Sequence, residues 1–461
     1  MRPALAIAKL AFWEGVRMRV VLVFVFVLVV IVLRLPFALR GDETLAGRLQ
    51  TFLAYSLGAT GIFLGIATTF LSCATLSNEI RTRSLHLVLA KPVSRFQVLL
   101  GKWLGVNALN LILLTVSALA IYGFSTFIAS RPEQFFRDRL QVRDVVWTAR
   151  LAAEPKVPDF AEEAKKQIAE AEKQGQSFSR GTDFAVEERA RELKDLWRTV
   201  SGGEYRVYEF ENLPQPERED TVYQIRYQAR ATPLPMEEMM PIGWIFLDPE
   251  TGAPLMPEPK MTRERVADVH QFLVRAGAIV KNGKAALMVM NPMIGPDASK
   301  IQFEGEHSLQ VLYKVGTFEA NLLKTVGLMA LTLAFLSGVG VFFSTFVSFP
   351  IACLCTFTVF VLGASTPVWK EAIGANMEVR TDKIDPYGAL GPVVRPVLMA
   401  VLQTAFPDLS RYDGVSILVD GLVIRGAIVV EALASVGLRL LIVLVLGWYV
   451  FWQREIAGAT T

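Results

Sequence analysis

From Thr325 to Trp369 the chain runs for 45 residues without one charged side chain. A helix needs about 20 apolar residues to cross the hydrocarbon core of a bilayer. Backbone polar groups in lipid must also be satisfied within the segment, which leaves helices and closed barrels. A run of this length therefore holds two crossings. Ser348-Phe349-Pro350 is the expected break, because proline disfavours a continuing helix. Residues 20–33 (VVLVFVFVLVVIVL) are wholly apolar, and 35–39 extend them past Arg34. Leu49 to Asn78 and Trp103 to Ser130 hold no charge, and a last apolar run covers about 432–452. The expectation is a polytopic α-helical membrane protein with six transmembrane helices.

The charges are distributed unevenly. Residues 131–319 hold 26 Lys+Arg and 31 Asp+Glu, whereas the other 272 residues hold 21 and 13. The first density suits a water-exposed domain and the second does not. Three divisions follow. Residues 1–130 carry helices one to three, 131–319 form a soluble insertion, and 320–461 carry helices four to six.

Lys and Arg in the short loops set orientation. Arg2, Lys9, Arg17 and Arg19 against Glu14 precede the first span, and Arg81, Arg83, Lys91, Arg95 and Lys102 against Glu79 lie between spans two and three. Both segments are then cytoplasmic, as are both termini, and 131–319 is extracytoplasmic. The first span reads as an uncleaved anchor, since its basic lead is long and no A-x-A site follows. Residues 3–16 read as an amphipathic helix on the inner face of the lipid bilayer, with Trp13 at the interface.

In the insertion, 131–201 reads as helical. Segments 158–174 and 183–200 are each followed by a Gly-containing break. From 204 onward the pattern changes. Tyr223, Ile225, Tyr227 and Ala229 alternate with polar residues, as a half-buried strand does. Further strands are expected at 205–210, 242–247, 285–290, 301–306 and 309–314. Together they make an α+β domain, a helical segment plus a β-sandwich. Ser201-Gly202-Gly203-Glu204 is like a fragment of an ATPase signature but lies at a helix-to-strand junction, and it reads as a turn.

No catalytic or metal constellation stands out. Cys73, Cys353 and Cys355 fall in apolar runs and read as buried thiols. His86, His270 and His307 are scattered. Nothing points to nucleic acid. Arg439 is an intramembrane charge, a functional candidate by default. The plainer reading, favoured here, has it snorkel outward or pair with Glu431. Gly61/Gly65 and Gly101/Gly105 are G-x-x-x-G helix-packing motifs, suited to close contact within the chain or between protomers. Residues 370–430 lie outside again and contain an apolar helix at 396–406 and a second apolar stretch at 414–430, each too short or too interrupted for a seventh span; Asp420 and Arg425 argue for a surface position.

The segment joining spans two and three, 75–105, is patterned beyond its basic charge. Ser84-Leu85 and Leu87-Val88-Leu89 give a short helix with an apolar face. Lys91-Pro92 stops it, and Ser94 can cap the next helix. Here the sequence resembles the membrane subunits of type-2 ABC exporters, the ABC-2 permeases. The resemblance rests on Glu79-Ile80, Arg83-Ser84-Leu85, Lys91-Pro92-Val93-Ser94-Arg95 and Leu100-Gly101-Lys102. It is joined by Phe342-Phe343-Ser344-Thr345-Phe346 with Pro350 and Ala352, by Phe406-Pro407-Asp408-Leu409-Ser410, and by Phe451-Trp452-Gln453-Arg454-Glu455. It covers the six spans and the connector, not the insertion, and it implies an external re-entrant or surface hairpin at 370–430. Arg83 stands where the family commonly has Gly, and His86 where it has an acid.

The resemblance implies a permease in the bacterial cytoplasmic membrane, working as a homodimer or heterodimer, each protomer bound to an ABC ATPase subunit. Glu79, Arg81, Arg83, Ser84, Lys91, Pro92, Ser94, Arg95 and Lys102 would form the ATPase-coupling segment. ATP and Mg would be held by the partner ATPase and no cofactor by this chain, which has no G-x-x-x-x-G-K-[ST]. The chain is then not itself an enzyme. The pathway is poor in charge, which leans toward an apolar substrate. The rival reading is a non-transporting scaffold that passes ATP-driven motion to the insertion to regulate a cell-envelope process. An anchored receptor without an ATPase is weaker, because it leaves the patterned connector unexplained.

Overall fold

The computed structural model describes residues 2–38, 45–82, 93–130, 142, 146–174, 178, 181–216, 218, 221–256, 258–295, 298–305, 307–374 and 391–454. The chain divides into two compact units, Met1–Ala149 with Gly316–Thr461, and Arg150–Val315.

The first unit is helical: α1 (Arg2–Arg17), α2 (Arg19–Ala38), α3 (Leu45–Arg81), α4 (Arg95–Ala129), α8 (Phe318–Ser344), α9 (Phe349–Ala364), α10 (Thr366–Gly374), α11 (Gly391–Ala405), α12 (Gly414–Val419) and α13 (Gly426–Gln453). Among the described residues, α3, α4, α8 and α13 are each long and apolar enough to cross a membrane. Two bent pairs, α1 with α2 (65°) and α9 with α10 (67°), raise the number to six if each is one span. The chain is thus a multi-pass helical membrane protein with four to six crossings.

The 45-residue charge-free run breaks where expected. Ser348 is the N-cap of α9, and Pro350 sits in its first turn, where a missing N–H costs nothing. The second half of the run is not one straight helix. At 16 residues, α9 is about 24 Å long, short of a ~30 Å core. Pro367 then opens α10 at a new angle, since its ring cannot continue the ladder of α9.

Small and hydroxylated residues let these helices approach closely. Ser56, Thr60, Thr68, Thr69 and Ser72 of α3 are all buried. Thr60 and Thr69 return their hydroxyls to carbonyls one turn back, at 2.7 and 3.0 Å. Thr68 donates to Asn110 Oδ1 of α4 at 3.0 Å, and Trp103 Nε1 of α4 donates to Ala334 O of α8 at 3.0 Å. Of the three cysteines only Cys73 is buried; Cys353 and Cys355 are half-exposed on α9.

Among the described residues the second unit carries α5 (Phe160–Lys173), α6 (Thr182–Trp197), α7 (Ala276–Ile279) and eleven strands: β1 (Thr148–Ala153), β2 (Thr199–Val200), β3 (Tyr205–Phe210), β4 (Val222–Gln228), β5 (Arg230–Thr232), β6 (Met239–Leu247), β7 (Lys260–Arg265), β8 (Val269–Arg275), β9 (Ala285–Met290), β10 (Lys300–Gln302) and β11 (Leu309–Thr317). Their sheets run β1-β11-β4-β8, β3-β9-β6-β7 and β2-β10-β5. Tyr223, Ile225 and Tyr227 of β4 and Leu309 and Val311 of β11 share one core with Trp244, Phe246, Leu287 and Tyr208 of the second sheet. The Tyr227 and Trp244 rings lie 4.6 Å apart, and buried Trp244 satisfies its indole N–H on Thr262 Oγ1 at 2.9 Å.

Three expectations for this unit are corrected. The stretch 131–201 is not all helix, because β1 and β2 pair into sheets within it. The strand at 301–306 is only Lys300–Gln302. β7 and β8 lie outside the expected strands; each is a sheet edge, and in β7 charged side chains blunt the alternation that marks a buried strand. The apolar faces of α5 and α6 are thin: only Ala164, Ile168 and Ala185 of these helices are buried. Ser201–Glu204 is a turn, with Gly203 at φ +75°.

Candidate coupling site

Of the sequence segments that carry the resemblance, Glu79-Ile80, Val93–Arg95, Leu100–Lys102, Phe342–Phe346 and Phe451–Arg454 gather at one end of the helical unit, whereas Phe406–Ser410 packs against Gly363 instead. Ser94 starts α4 with a complete capping box. Its hydroxyl accepts from Gln97 N at 3.2 Å, and Gln97 Oε1 accepts from Ser94 N at 3.1 Å. Two of the four orphan N–H groups at this helix start are thereby satisfied. The cap holds Arg95 in the first turn, beside the end of α13. There one guanidinium nitrogen donates to the carbonyls of Phe451 at 2.6 Å, Trp452 at 2.8 Å and Arg454 at 2.9 Å. A cation at the carbonyl end of a helix also meets the negative end of its dipole. The same guanidinium lies 5.7 Å from the Phe451 ring. Arg454 in turn donates to Thr345 O, in the turn between α8 and α9. The start of α4, the end of α13 and the α8–α9 junction are thus linked by two arginines.

Beneath this clasp, Ile7, Leu76, Val98 and Phe451 form a fully buried cluster with Ile80 and Val93 packed against it. It joins α1, α3, α4 and α13 through one apolar contact.

One turn or two further into α4, Lys102 is 1% exposed. A buried ammonium is costly unless paired. Here it donates to Glu79 Oε1 at 2.6 Å and to Glu14 Oε2 at 3.1 Å, so one cation ties α3, α4 and α1. Glu79 is 12% exposed and Glu14 46%, which makes Glu79 the stronger partner. Lys102 and Glu79 were singled out from sequence. Glu14 was seen only as the lone acid of a basic lead, and that oddity was the available signal.

The second G-x-x-x-G motif explains how α1 comes so near. A Cβ at Gly101 would stand 2.7 Å from Ala4 O and 2.8 Å from Ile7 Cβ; one at Gly105 would stand 2.5 Å from Ala8 O and 2.7 Å from Ala11 Cβ. No side chain fits at either position. The pair is a cradle for α1, whose Ala4, Ile7, Ala11 and Gly15 are buried at helical spacing. Gly61 and Gly65 also face their own chain, toward Met329 of α8 at 3.4 Å and Phe360 of α9 at 3.1 Å.

Arg81 is exposed at the end of α3. Arg83, Ser84, Lys91 and Pro92 lie outside the described residues, as does His86. Arg439 does not pair with Glu431. Its guanidinium donates to Gln403 O at 2.8 Å and Thr404 O at 3.3 Å, closing the last turn of α11, and to Ser435 Oγ at 2.6 Å. Glu431 is taken by Arg411 at 2.8 Å. Glu431 stands two turns, about 12 Å, from Arg439 along the same helix, whereas the freed carbonyls at the end of α11 lie within reach of the guanidinium.

Compared with known proteins, residues 5–134 match the family described as ABC-2 family transporter protein. That span contains the capping box, Arg95, the Lys102 triad and the glycine cradle. No curated protein and no solved structure matches the chain.

Proposed function

Taking residues 5–134 as the membrane part of an ABC-2 type permease, we propose that the chain is the membrane-spanning subunit of an ATP-binding cassette exporter. It works with a separate ATPase subunit and a second permease copy in the bacterial cytoplasmic membrane. The coupling segment around 79–102 and both termini are cytoplasmic, and the Arg150–Val315 unit is extracytoplasmic. One observation carries this reading: Arg95, at the end of the connector, grips the last carbonyls of α13 while Arg454 grips the α8–α9 turn. A push on the connector by a closing ATPase pair reaches three transmembrane elements at once through hydrogen bonds, without a change in the apolar helix faces.

The test is co-purification of the full chain with its ATPase, followed by ATP turnover in lipid. Arg95→Glu, which turns an attraction to helix carbonyls into a repulsion, is expected to leave the complex assembled while turnover loses its dependence on the permease. Normal coupled turnover in that variant refutes the assignment.

A second reading rests on the separate compactness of Arg150–Val315. In it the chain transmits motion to that unit to regulate a cell-envelope process and moves no substrate. ATP-dependent uptake of a substrate into inverted vesicles separates the two.

A further inference from the structure

A cavity of about 600 Å³ in the helical unit lies between α3, α8, α9 and the segment that carries α12. Gly61 on its wall stands 20 residues before Arg81 on α3, or about 30 Å along the helix. The cavity is therefore well separated from the coupling site. Its volume is in the range of small-molecule sites.

The lining is divided by chemistry. Leu57 and Gly58 of α3, Leu333 of α8 and Phe360 of α9 supply apolar lining. Asp413, Ser416 and Asp420 stand on the polar side. Among the described lining residues every charge is a carboxylate, and neither Lys, Arg nor His is present. The nearby Arg411 is turned to Glu431 at 2.8 Å. Asp413 caps α12 through Val415 N at 3.0 Å and holds Ser416 Oγ at 2.5 Å. Each carboxylate oxygen has two lone pairs, so this carboxylate retains acceptor capacity. Asp413 and Asp420 are exposed, so an anion entering here would pass two like charges. A cation would exchange water for carboxylates and for the faces of Phe360 and Tyr412, which attract cations.

We propose that this cavity binds a cationic amphiphile, with its apolar body against α3, α8 and α9 and its charge toward Asp413 and Asp420. As a substrate class this rests on the exporter reading; as a binding site it does not.

Gly58 makes a clean test. A Cβ built there meets nothing within 4 Å, so Gly58→Leu adds bulk to open space and improves helix propensity. The probes are tetraphenylphosphonium and tetraphenylborate, nearly identical in shape and opposite in sign. Equilibrium dialysis with the full chain in zwitterionic lipid nanodiscs, against empty nanodiscs, is expected to show saturable binding of the cation alone. Gly58→Leu should weaken it at least tenfold. Asp413→Asn with Asp420→Asn, which keeps the cap, should remove the preference for the cation. Absence of cation binding to the wild-type chain, equal binding of the borate, or unchanged binding in Gly58→Leu overturns the proposal. These measurements use no ATPase. Binding as described with no ATP-dependent movement of the cation would retain the site and sink the exporter reading instead.

Discussion

Lys102→Met removes one positive charge and little volume from the junction of α1, α3 and α4. At 2.6 Å from Glu79, the gross attraction is about 6 kcal/mol at an effective dielectric of 20. Desolvation of both groups offsets most of it. What the substitution exposes is the cost of a carboxylate left among apolar neighbours, about 3–5 kcal/mol for a fully buried pair. Glu79 keeps 12% of its side-chain surface, so about 3 kcal/mol is the expected share. Glu14, 46% exposed, adds less than ~1 kcal/mol. Lys102→Met should therefore destabilise the chain by about 3–4 kcal/mol. Glu79→Gln, which leaves the ammonium its Glu14 partner, should cost about 2. If the charges act as a unit, the double variant costs less than the sum by about 2 kcal/mol, a ~30-fold difference in the unfolding equilibrium. The assay is reversible unfolding of the full chain in mixed micelles, followed by tryptophan fluorescence. Strict additivity, or a Lys102→Met variant within about 0.5 kcal/mol of wild type, refutes the triad as a structural tie.

Gly105→Val drives a side chain into Ala8 O, 2.5 Å from the new Cβ, and should release α1; faster hydrogen exchange across residues 2–17, with exchange in α13 unchanged, reports it. Arg439→Met leaves Gln403 O and Thr404 O without their donor; a cost of about 1–2 kcal/mol should appear as faster exchange in the last turn of α11 and not in the Arg150–Val315 unit. Asp248 is held at a pKa of about 2, below its ordinary 3.8, chiefly by the hydrogen bond from Lys281 and then by the N–H groups of Glu250 and Thr251. Because the folded value is the lower one, this contribution is whole above about pH 4 and is lost as pH falls through about 2. Protection of the 248–253 turn, corrected for intrinsic exchange rates, should fall over that window, and Asp248→Asn should flatten the profile.

Much of the helical unit was legible because lipid imposes length and composition on any helix that crosses it. The 45 charge-free residues, the Ser348–Pro350 break and the Ser94 cap were each read from local chemistry and found in place. β4 was read for the same kind of reason, since Tyr223, Ile225 and Tyr227 point one way with period two. The misreadings share a cause too. β7, Lys-Met-Thr-Arg-Glu-Arg, is a strand because β6 supplies its hydrogen bonds along the register Met239↔Arg265 to Trp244↔Lys260, and nothing in those six residues announces a neighbour. For Arg439 the local sequence offers outward snorkelling or Glu431 on its own helix. Two of its acceptors are instead 35 and 36 residues away in the chain.

The amino-acid sequence by itself determined that this chain belongs in a membrane, where its helices begin and break, and that its polar third is a separate body. Those properties follow from charge density, helical period and capping, which act over a few residues. Only the tertiary structure decided what the conspicuous residues hold. It turned Gly101 and Gly105 into a seat for α1 and gave Lys102 a second carboxylate from Glu14. It also joined Arg95 to a helix end more than 350 positions later. Buried ions, glycine contacts and helix-end carbonyls are satisfied by whichever group is nearest in space, and the chain order does not record that distance.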